Sequence, residues 1–491
     1  MKSMSIADNA AGVDKDHSNK TSLHKEPSVM AMTACAAPVS ATYFFYTPMW
    51  FILPGIYAKY FGLELTAVAA VVLYARLFDG ITDPTIGYLS DRHRARNGSR
   101  KTWVLVGSIA VLIACYFLFS PPEQVTTTYY LLWTFAFFLA FTLVEIPHLS
   151  WGAELTMDYN RRAKVYSIRA TFMALGQIAF FALPLLPIYA SNEYTPETLT
   201  DAVYIGATIM LCGLVWSMFW APASTVAKTP SGGDNITLFT RSLAQNKPLL
   251  LYYSATVCTG LSFGLWLGLL FFYLDGYLAL GDKIATIFML GNIAGLLSIP
   301  FWLKFIQKTS KSAAWAAGLT LFCTHLLGFL FVNPGGALWL PLLLTGTAYI
   351  GFSCVNASSL AVLGDIIDYG KLKFHQDRGG TYFAISSLLY KMTLGLGSGV
   401  SIGIAGIFDF DPTREVQSET ALFGLQLGFI ILPTLLGLVA VVLVLLTPIN
   451  KHRHGIIQRR IASRPSSHSP LASTNSQPLT SQPLKRTIYA Q

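Results

Sequence analysis

Twelve long apolar segments constrain this chain more than any other feature of its sequence. A helix needs about 20 mostly apolar residues to cross a bilayer, and twelve segments of this kind lie between residues 33 and 447. Hydrophobic residues make up 53% of the 491 residues and charged residues only 12%, whereas an average soluble domain has about 25% charged residues. The sequence therefore predicts an all-α membrane protein with twelve transmembrane helices.

The spacing of these segments breaks once, at a polar linker that contains Pro230-Ser-Gly-Gly-Asp234. The break divides the chain into two pseudo-symmetric halves of six helices. A weak repeat supports the division, because Gly152-Ala-Glu154 after helix 4 is echoed by Gly364-Asp365 after helix 10. The predicted parts are a disordered cytoplasmic N-terminus (1–32), an N-terminal half (33–222), a cytoplasmic linker (223–248), a C-terminal half (249–450) and a disordered cytoplasmic tail (451–491).

The charges of the loops predict the orientation of the chain. The loops after helices 2, 4, 6, 8 and 10 are basic, and the opposite loops are neutral or acidic. Because short loops rich in Lys and Arg remain in the cytoplasm, both termini are expected to be cytoplasmic. The same bias accounts for the net charge of +9, so nothing in the charge points to a nucleic-acid partner.

Five ionisable side chains lie inside the predicted helices: Asp79, Asp83, Glu145, Arg169 and Lys391. Each would cost about 3 kcal/mol if it faced lipid. Their sum of roughly 15 kcal/mol would equal or exceed a typical folding stability of about 5–15 kcal/mol. They are therefore expected to face one another, water or a ligand. Asp79 and Asp83 are four residues apart and so share one helix face.

These residue types predict a cation site. Thr142 lies one turn before Glu145 on the same face of helix 4 and adds a hydroxyl oxygen to the three carboxylates. Oxygen ligands suit a hard cation, and clustered acids suit a proton, so Na⁺ or H⁺ is the expected ion at this site. Asp79, Asp83 and Glu145 would be the metal ligands if the ion is Na⁺, and no other cofactor is expected. The alternative is a salt-bridged cluster that only holds the helices together.

An enzymatic function is not expected. The sequence contains no HExxH metal motif and no GxSxG nucleophile motif. Its six cysteines are scattered through apolar segments, without the spacing of a disulfide framework or a zinc site. A passive channel is disfavoured because the membrane charges have both signs and lie at similar depths.

Several motifs resemble known transporter families. Between helices 2 and 3, Gly87, Asp91, Arg92, Arg96 and Arg100 stand as in the signature loop of the major facilitator superfamily. More closely, the chain is similar to the glycoside–pentoside–hexuronide:cation symporter family, whose best-known member is melibiose permease. The residues that carry this similarity are Asp79-x3-Asp83-Pro84, Glu145-Ile-Pro147, the loop 152–162 and Asp365-Ile-Ile-Asp368-Tyr369-Gly370 followed by Lys391.

The resemblance implies the major facilitator fold and roles for individual residues. The loop residues would form a conformational gate. Asp79, Asp83, Thr142 and Glu145 match the family's cation site, and Arg169 and Lys391 match its sugar site. The helix-1 aspartate with which melibiose permease binds sugar falls on Tyr43 here, so Tyr43 is the expected helix-1 contact with substrate and galactoside specificity is not implied.

The resulting prediction is a secondary transporter in the inner membrane of a bacterium that works as a monomer. It would couple a monovalent cation to the transport of a sugar or glycoside by alternating access. The alternative is a cation-coupled transporter of a lysolipid or another amphiphile, since animal lysophospholipid carriers resemble the same family and helix 1 is apolar.

Overall fold

The computed structural model describes residues 27–97, 99–156, 159–223, 245–374, 379–414, 416–448 and 451–462. Twelve helices in these ranges are long and apolar enough to cross a membrane, which confirms the prediction of twelve spans. In chain order they are α1 (Val29–Tyr46), α2 (Leu65–Asn97), α3 (Lys101–Phe119), α4 (Thr127–Glu154), α5 (Tyr159–Ala182), α6 (Pro196–Trp220), α7 (Lys247–Phe272), α8 (Ile284–Lys308), α9 (Lys311–Gly328), α10 (Trp339–Phe374), α11 (Gly379–Ile407) and α12 (Glu419–Leu445).

Hydroxyl side chains mark where several of these helices begin. Ser28 before α1, Thr126 before α4 and Ser310 before α9 each accept a hydrogen bond from a backbone N–H of the first turn. Such caps satisfy donors that have no partner inside the helix. Pro196 opens α6, at a position where its missing N–H leaves nothing unsatisfied. Local sequence therefore determines these helix starts.

The two halves, α1–α6 and α7–α12, meet mainly where α2 packs on α11 and where α5 packs on α8. Glycines of α11 permit the close approach of α2, because a β-carbon at Gly395 would collide with the Arg76 side chain and one at Gly399 with Leu73. Small residues commonly occupy such contacts between membrane helices. This close packing brings Lys391 of α11 beside the acids of α2.

The structure differs from the sequence prediction beyond α12. Residues 451–462, predicted as part of a disordered tail, form a further helix, α13 (Lys451–Ala462). Ile457 of α13 is buried, and His454 Nε2 lies 3.1 Å from Asp368 Oδ2 of α10. The partner on α10 is 86 residues earlier in the chain, so local composition gave no sign of this contact.

The other predicted segments without regular structure lie largely outside the described residues. These are residues 1–26 of the N-terminal segment, 224–244 of the linker and 463–491 of the tail. The described part of the N-terminal segment already contains the start of α1 at Val29, four residues before the predicted boundary.

Candidate functional site

Asp79 and Asp83 of α2 face Lys391 of α11. Lys391 Nζ lies 2.7 Å from Asp83 Oδ2 and 3.5 Å from Asp79 Oδ2. Asp79 is only 1% exposed, and a buried charge is costly unless it is paired. Because α2 belongs to the N-terminal half and α11 to the C-terminal half, this ion pair joins the two halves.

Arg76 is a further buried charge, and the sequence analysis did not include it. Its Nη1 lies 2.9 Å from Asp79 Oδ2, and its side chain is 2% exposed. The guanidinium carbon lies 4.2 Å from the ring centre of Trp50 and 3.6 Å from that of Phe138, which gives favourable cation–π contacts. The sequence could have indicated this ion pair, because Arg76 lies inside an apolar segment, three residues before Asp79. Residues three apart are neighbours on a helix surface.

Glu145 of α4 is held by two side chains of the N-terminal half. Arg169 of α5 donates from Nη2 to Glu145 Oε1, and the Tyr43 hydroxyl of α1 donates to the same oxygen at 3.1 Å. Thr142, one turn earlier on α4, donates its hydroxyl to Asp83 Oδ1 at 2.9 Å. Helix α4 therefore connects the group around Glu145 with the acids of α2.

The structure brings together all of the residues predicted for cation and substrate binding, namely Tyr43, Asp79, Asp83, Thr142, Glu145, Arg169 and Lys391. The expected ligand set of three carboxylates is not formed in this conformation. Among the described residues, no three Asp, Glu, His or Cys side chains are close enough to hold one metal ion. The physical reason is that each carboxylate is oriented towards a basic partner instead of towards the other two.

The charges of this cluster balance. The pairs are Asp79 with Arg76, Asp83 with Lys391, and Glu145 with Arg169. Three atoms nevertheless remain without a hydrogen-bond partner although they are buried, namely Arg76 Nε, Asp79 Oδ1 and Arg169 Nε. Buried polar atoms are nearly always hydrogen-bonded in proteins, so these atoms are available to a ligand.

Arg100 joins the loop between α2 and α3 to the end of α4. Its side chain is fully buried, with Nη2 3.0 Å from Glu154 Oε1. It also donates to Ser90 and Asp91 of α2. Burial opposes the charge of this guanidinium, but hydrogen bonds with Glu154 and Asp91 raise the pKa of Arg100. Arg100 therefore stays charged and ties α2, α3 and α4 together at one end of the N-terminal half.

The other predicted gating residues divide into two groups. Asp91 belongs to the Arg100 cluster, and Gly87 lies next to it because its carbonyl accepts the Ser90 hydroxyl at 3.0 Å. Arg92 and Arg96 are exposed, and the structure does not place them in the cluster. The sequence identifies Glu154 only as part of the internal repeat. Its contact with Arg100 cannot be found from local patterns, because the two residues are 54 positions apart.

The C-terminal half contains an equivalent contact. Lys311 at the start of α9 pairs with Asp365 near the end of α10, as Arg100 just before α3 pairs with Glu154 at the end of α4. The repeated motifs therefore make corresponding ion pairs in the two halves.

Two packed six-helix halves with a balanced cluster of buried charges between them define a membrane transporter of the major facilitator type. The sequence matches the family described as MFS/sugar transport protein over residues 34–451, and the chain belongs to this family. It is accordingly a multi-pass transport protein and not an enzyme.

Known proteins agree with this assignment. The uncharacterized symporter YnaJ of Bacillus subtilis (strain 168) is 25% identical over 396 residues, which cover 79% of this chain and 84% of that protein. The putative glycoside/cation symporter YagG of Escherichia coli (strain K12) is 22% identical over 422 residues, or 82% of this chain and 87% of that one. The crystal structure of the nucleoside transporter NupG is similar in fold, with a TM-score of 0.60 and 13% identity over 84% of this chain and 97% of that chain.

Proposed function

We propose that this protein is a symporter that couples Na⁺ or H⁺ to the transport of a sugar or glycoside across the inner membrane of a bacterium. The observation that carries this proposal is the ion pair between Lys391 and Asp83, because it joins the halves through a carboxylate for which a cation can compete. Relatives that are named symporters, one of them a putative glycoside/cation symporter, support it. Both termini lie in the cytoplasm, as the loop charges predict.

The coupling ion binds at Asp79 and Asp83, with the Thr142 hydroxyl as a further oxygen ligand. Na⁺ replaces the Lys391 ammonium at Asp83, and a proton has the same effect by neutralising that carboxylate. Asp79 Oδ1, which is buried without a partner, supplies an additional oxygen. Because hard cations take oxygen ligands, this set of groups fits the ion after Lys391 has moved away.

The ion prepares the substrate site by releasing Lys391. Its ammonium then becomes available to a substrate, together with Arg169 Nε, which has no partner, and the Tyr43 hydroxyl. Glu145 orients Arg169 for this role. A substrate held in this way contacts both halves and favours their closure. Coupling between two binding sites is reciprocal, so the ion strengthens substrate binding and the substrate strengthens ion binding.

Acidic sugars are expected to bind more tightly than their neutral parents. The cluster is neutral before an ion binds, and an added Na⁺ leaves one net positive charge that a substrate carboxylate would balance. We expect D-glucuronate to bind about tenfold more tightly than D-glucose, which corresponds to ~1.4 kcal/mol. Calorimetric titration at saturating Na⁺ measures the difference. Equal affinities would contradict the charge-balance argument but not symport itself.

Thermal stabilisation of the purified protein tests the proposed function. The probes are mono- and oligosaccharides, uronates and lysophosphatidylcholine, each with and without Na⁺ at two pH values. A saccharide that stabilises only with Na⁺ supports Na⁺ symport, and one whose effect depends on pH alone supports H⁺ symport. Stabilisation by lysophosphatidylcholine alone would overturn the sugar assignment in favour of an amphiphile transporter.

A further inference from the structure

The C-terminal half contains a polar cavity of its own. It has a volume of about 170 Å³ and lies between α7, α9, α10 and α11. Its polar lining includes hydroxyl, amide and indole groups from Tyr252, Thr259, Trp315, Asn356, Ser359 and Ser386. Among the described residues that line it, none is an Asp, Glu, Lys, Arg or His. The cavity therefore suits an uncharged polar group.

Three side chains of this lining have unused hydrogen-bonding capacity. Trp315 Nε1 and Thr259 Oγ1 are buried without a partner, in residues that are 1% and 2% exposed, and the hydroxyl oxygen of Tyr390 is also buried without a partner. Leaving a buried polar group unpaired is destabilising, because the group has lost its hydrogen bonds to water. By contrast, the Tyr252 and Ser386 hydroxyls bond each other at 2.8 Å. Because these unpaired groups line one uncharged cavity, a polar ligand inside it would complete their hydrogen bonds.

The cavity adjoins the charge cluster along α11. Ser387 and Tyr390 line it, and Lys391 follows them on the same helix. Residues four apart share a helix face, so Ser387 lies on the face from which Lys391 reaches Asp83. A molecule held by Lys391 can therefore extend along this face into the C-terminal half.

We propose that this cavity binds the uncharged, hydroxylated part of the transported substrate, such as a pyranose ring. The inference rests on the proposed function and assigns a site to one part of that substrate. Trp315 Nε1 donates to a sugar oxygen, and Thr259 exchanges a hydrogen bond with a neighbouring hydroxyl group. Because the lining carries no charge, a carboxylate of the same substrate stays with Arg169 and Lys391.

The test compares two pairs of buried positions. Trp315→Phe and Thr259→Val each remove one hydrogen-bonding group and keep the side-chain size nearly unchanged. The matched controls are Trp266→Phe and Thr345→Val, since Trp266 Nε1 and Thr345 Oγ1 are also buried without a partner but lie outside the lining of the cavity. The probes are D-glucose, D-galactose, D-xylose, their methyl glycosides and D-glucuronate, each titrated into purified protein in the presence of Na⁺.

We expect Trp315→Phe and Thr259→Val each to weaken saccharide binding about tenfold, or ~1.4 kcal/mol. The two controls should bind as the wild type does, and all four variants should be at least as stable as the wild type without saccharide and keep its response to Na⁺. Wild-type affinity in both cavity variants would overturn the cavity assignment and leave the symporter proposal standing. Absence of binding of every probe to the wild type would overturn both proposals.

Discussion

Asp83→Asn is expected to abolish cation-driven uptake while the protein remains folded. The amide keeps an oxygen for the Thr142 hydroxyl, which donates to Asp83 Oδ1 at 2.9 Å. It cannot carry the negative charge for which Lys391 and the coupling ion compete. Coupling between binding sites typically changes affinity about 5–150-fold, and the variant should lose the whole increase in substrate affinity that the cation gives. Uptake of substrate into vesicles with an imposed Na⁺ or H⁺ gradient measures the loss of cation-driven transport.

The control for this experiment separates coupling from stability. Asp83→Asn leaves Lys391 with Asp79 alone, at 3.5 Å. The double variant Asp83→Asn with Lys391→Gln removes both charges of the pair, and its melting temperature should return towards that of the wild type without recovery of uptake. Asp282→Asn, at a half-buried acid outside the cluster, should transport normally. Full gradient-driven uptake by Asp83→Asn would refute the cation site proposed here.

Arg100→Ala is expected to give the largest loss of stability. This side chain is fully buried and pairs with Glu154 and Asp91, so its removal leaves Glu154 with Arg94, at 3.1 Å, as its remaining cation. Because Arg94 still pairs with Glu154, the loss should not exceed the cost of breaking a buried ion pair, about 3–5 kcal/mol. Arg100→Lys should restore only part of the lost stability, because an ammonium group cannot donate several hydrogen bonds in one plane as a guanidinium does. Thermal unfolding of the purified variants measures the loss.

Arg96→Ala provides the matched control, because Arg96 lies in the same loop region but is exposed. It should change the melting temperature little. If Arg100→Ala proved as stable as Arg96→Ala, the cluster would not hold the ends of α2, α3 and α4 together. Uptake measured on the same variants shows whether the cluster also affects transport, as expected for a gate.

The twelve membrane helices could be predicted from the sequence because a bilayer permits few backbone conformations. Every backbone group inside a bilayer needs a partner within the protein, so each long apolar segment must form a helix. The same argument singled out Asp79, Asp83, Glu145, Arg169 and Lys391, since unpaired charges in lipid are too costly to keep. That cost also predicted that these side chains face one another, water or a ligand.

The partner of each charge was decided only by the tertiary structure. Helical periodicity places Asp79 and Asp83 on one face, but it does not determine which neighbouring helix that face meets. Lys391 reaches Asp83 because glycines of α11 let α2 approach closely. This packing pairs each acid with its own base, so the three carboxylates do not converge on one point.

The surroundings of three further charged or titratable side chains could not be predicted from the sequence either. These are Arg76, Glu154 and His454. Arg76 acquires its environment from Trp50 and Phe138, which lie on other segments of the chain. Glu154 and His454 meet partners 54 and 86 residues away. The sequence by itself determined which segments cross the membrane and which charges had to be satisfied there. The packing of the helices decided the pairs, because contacts between distant segments depend on how the helices rotate and approach one another, and local patterns carry no information about either.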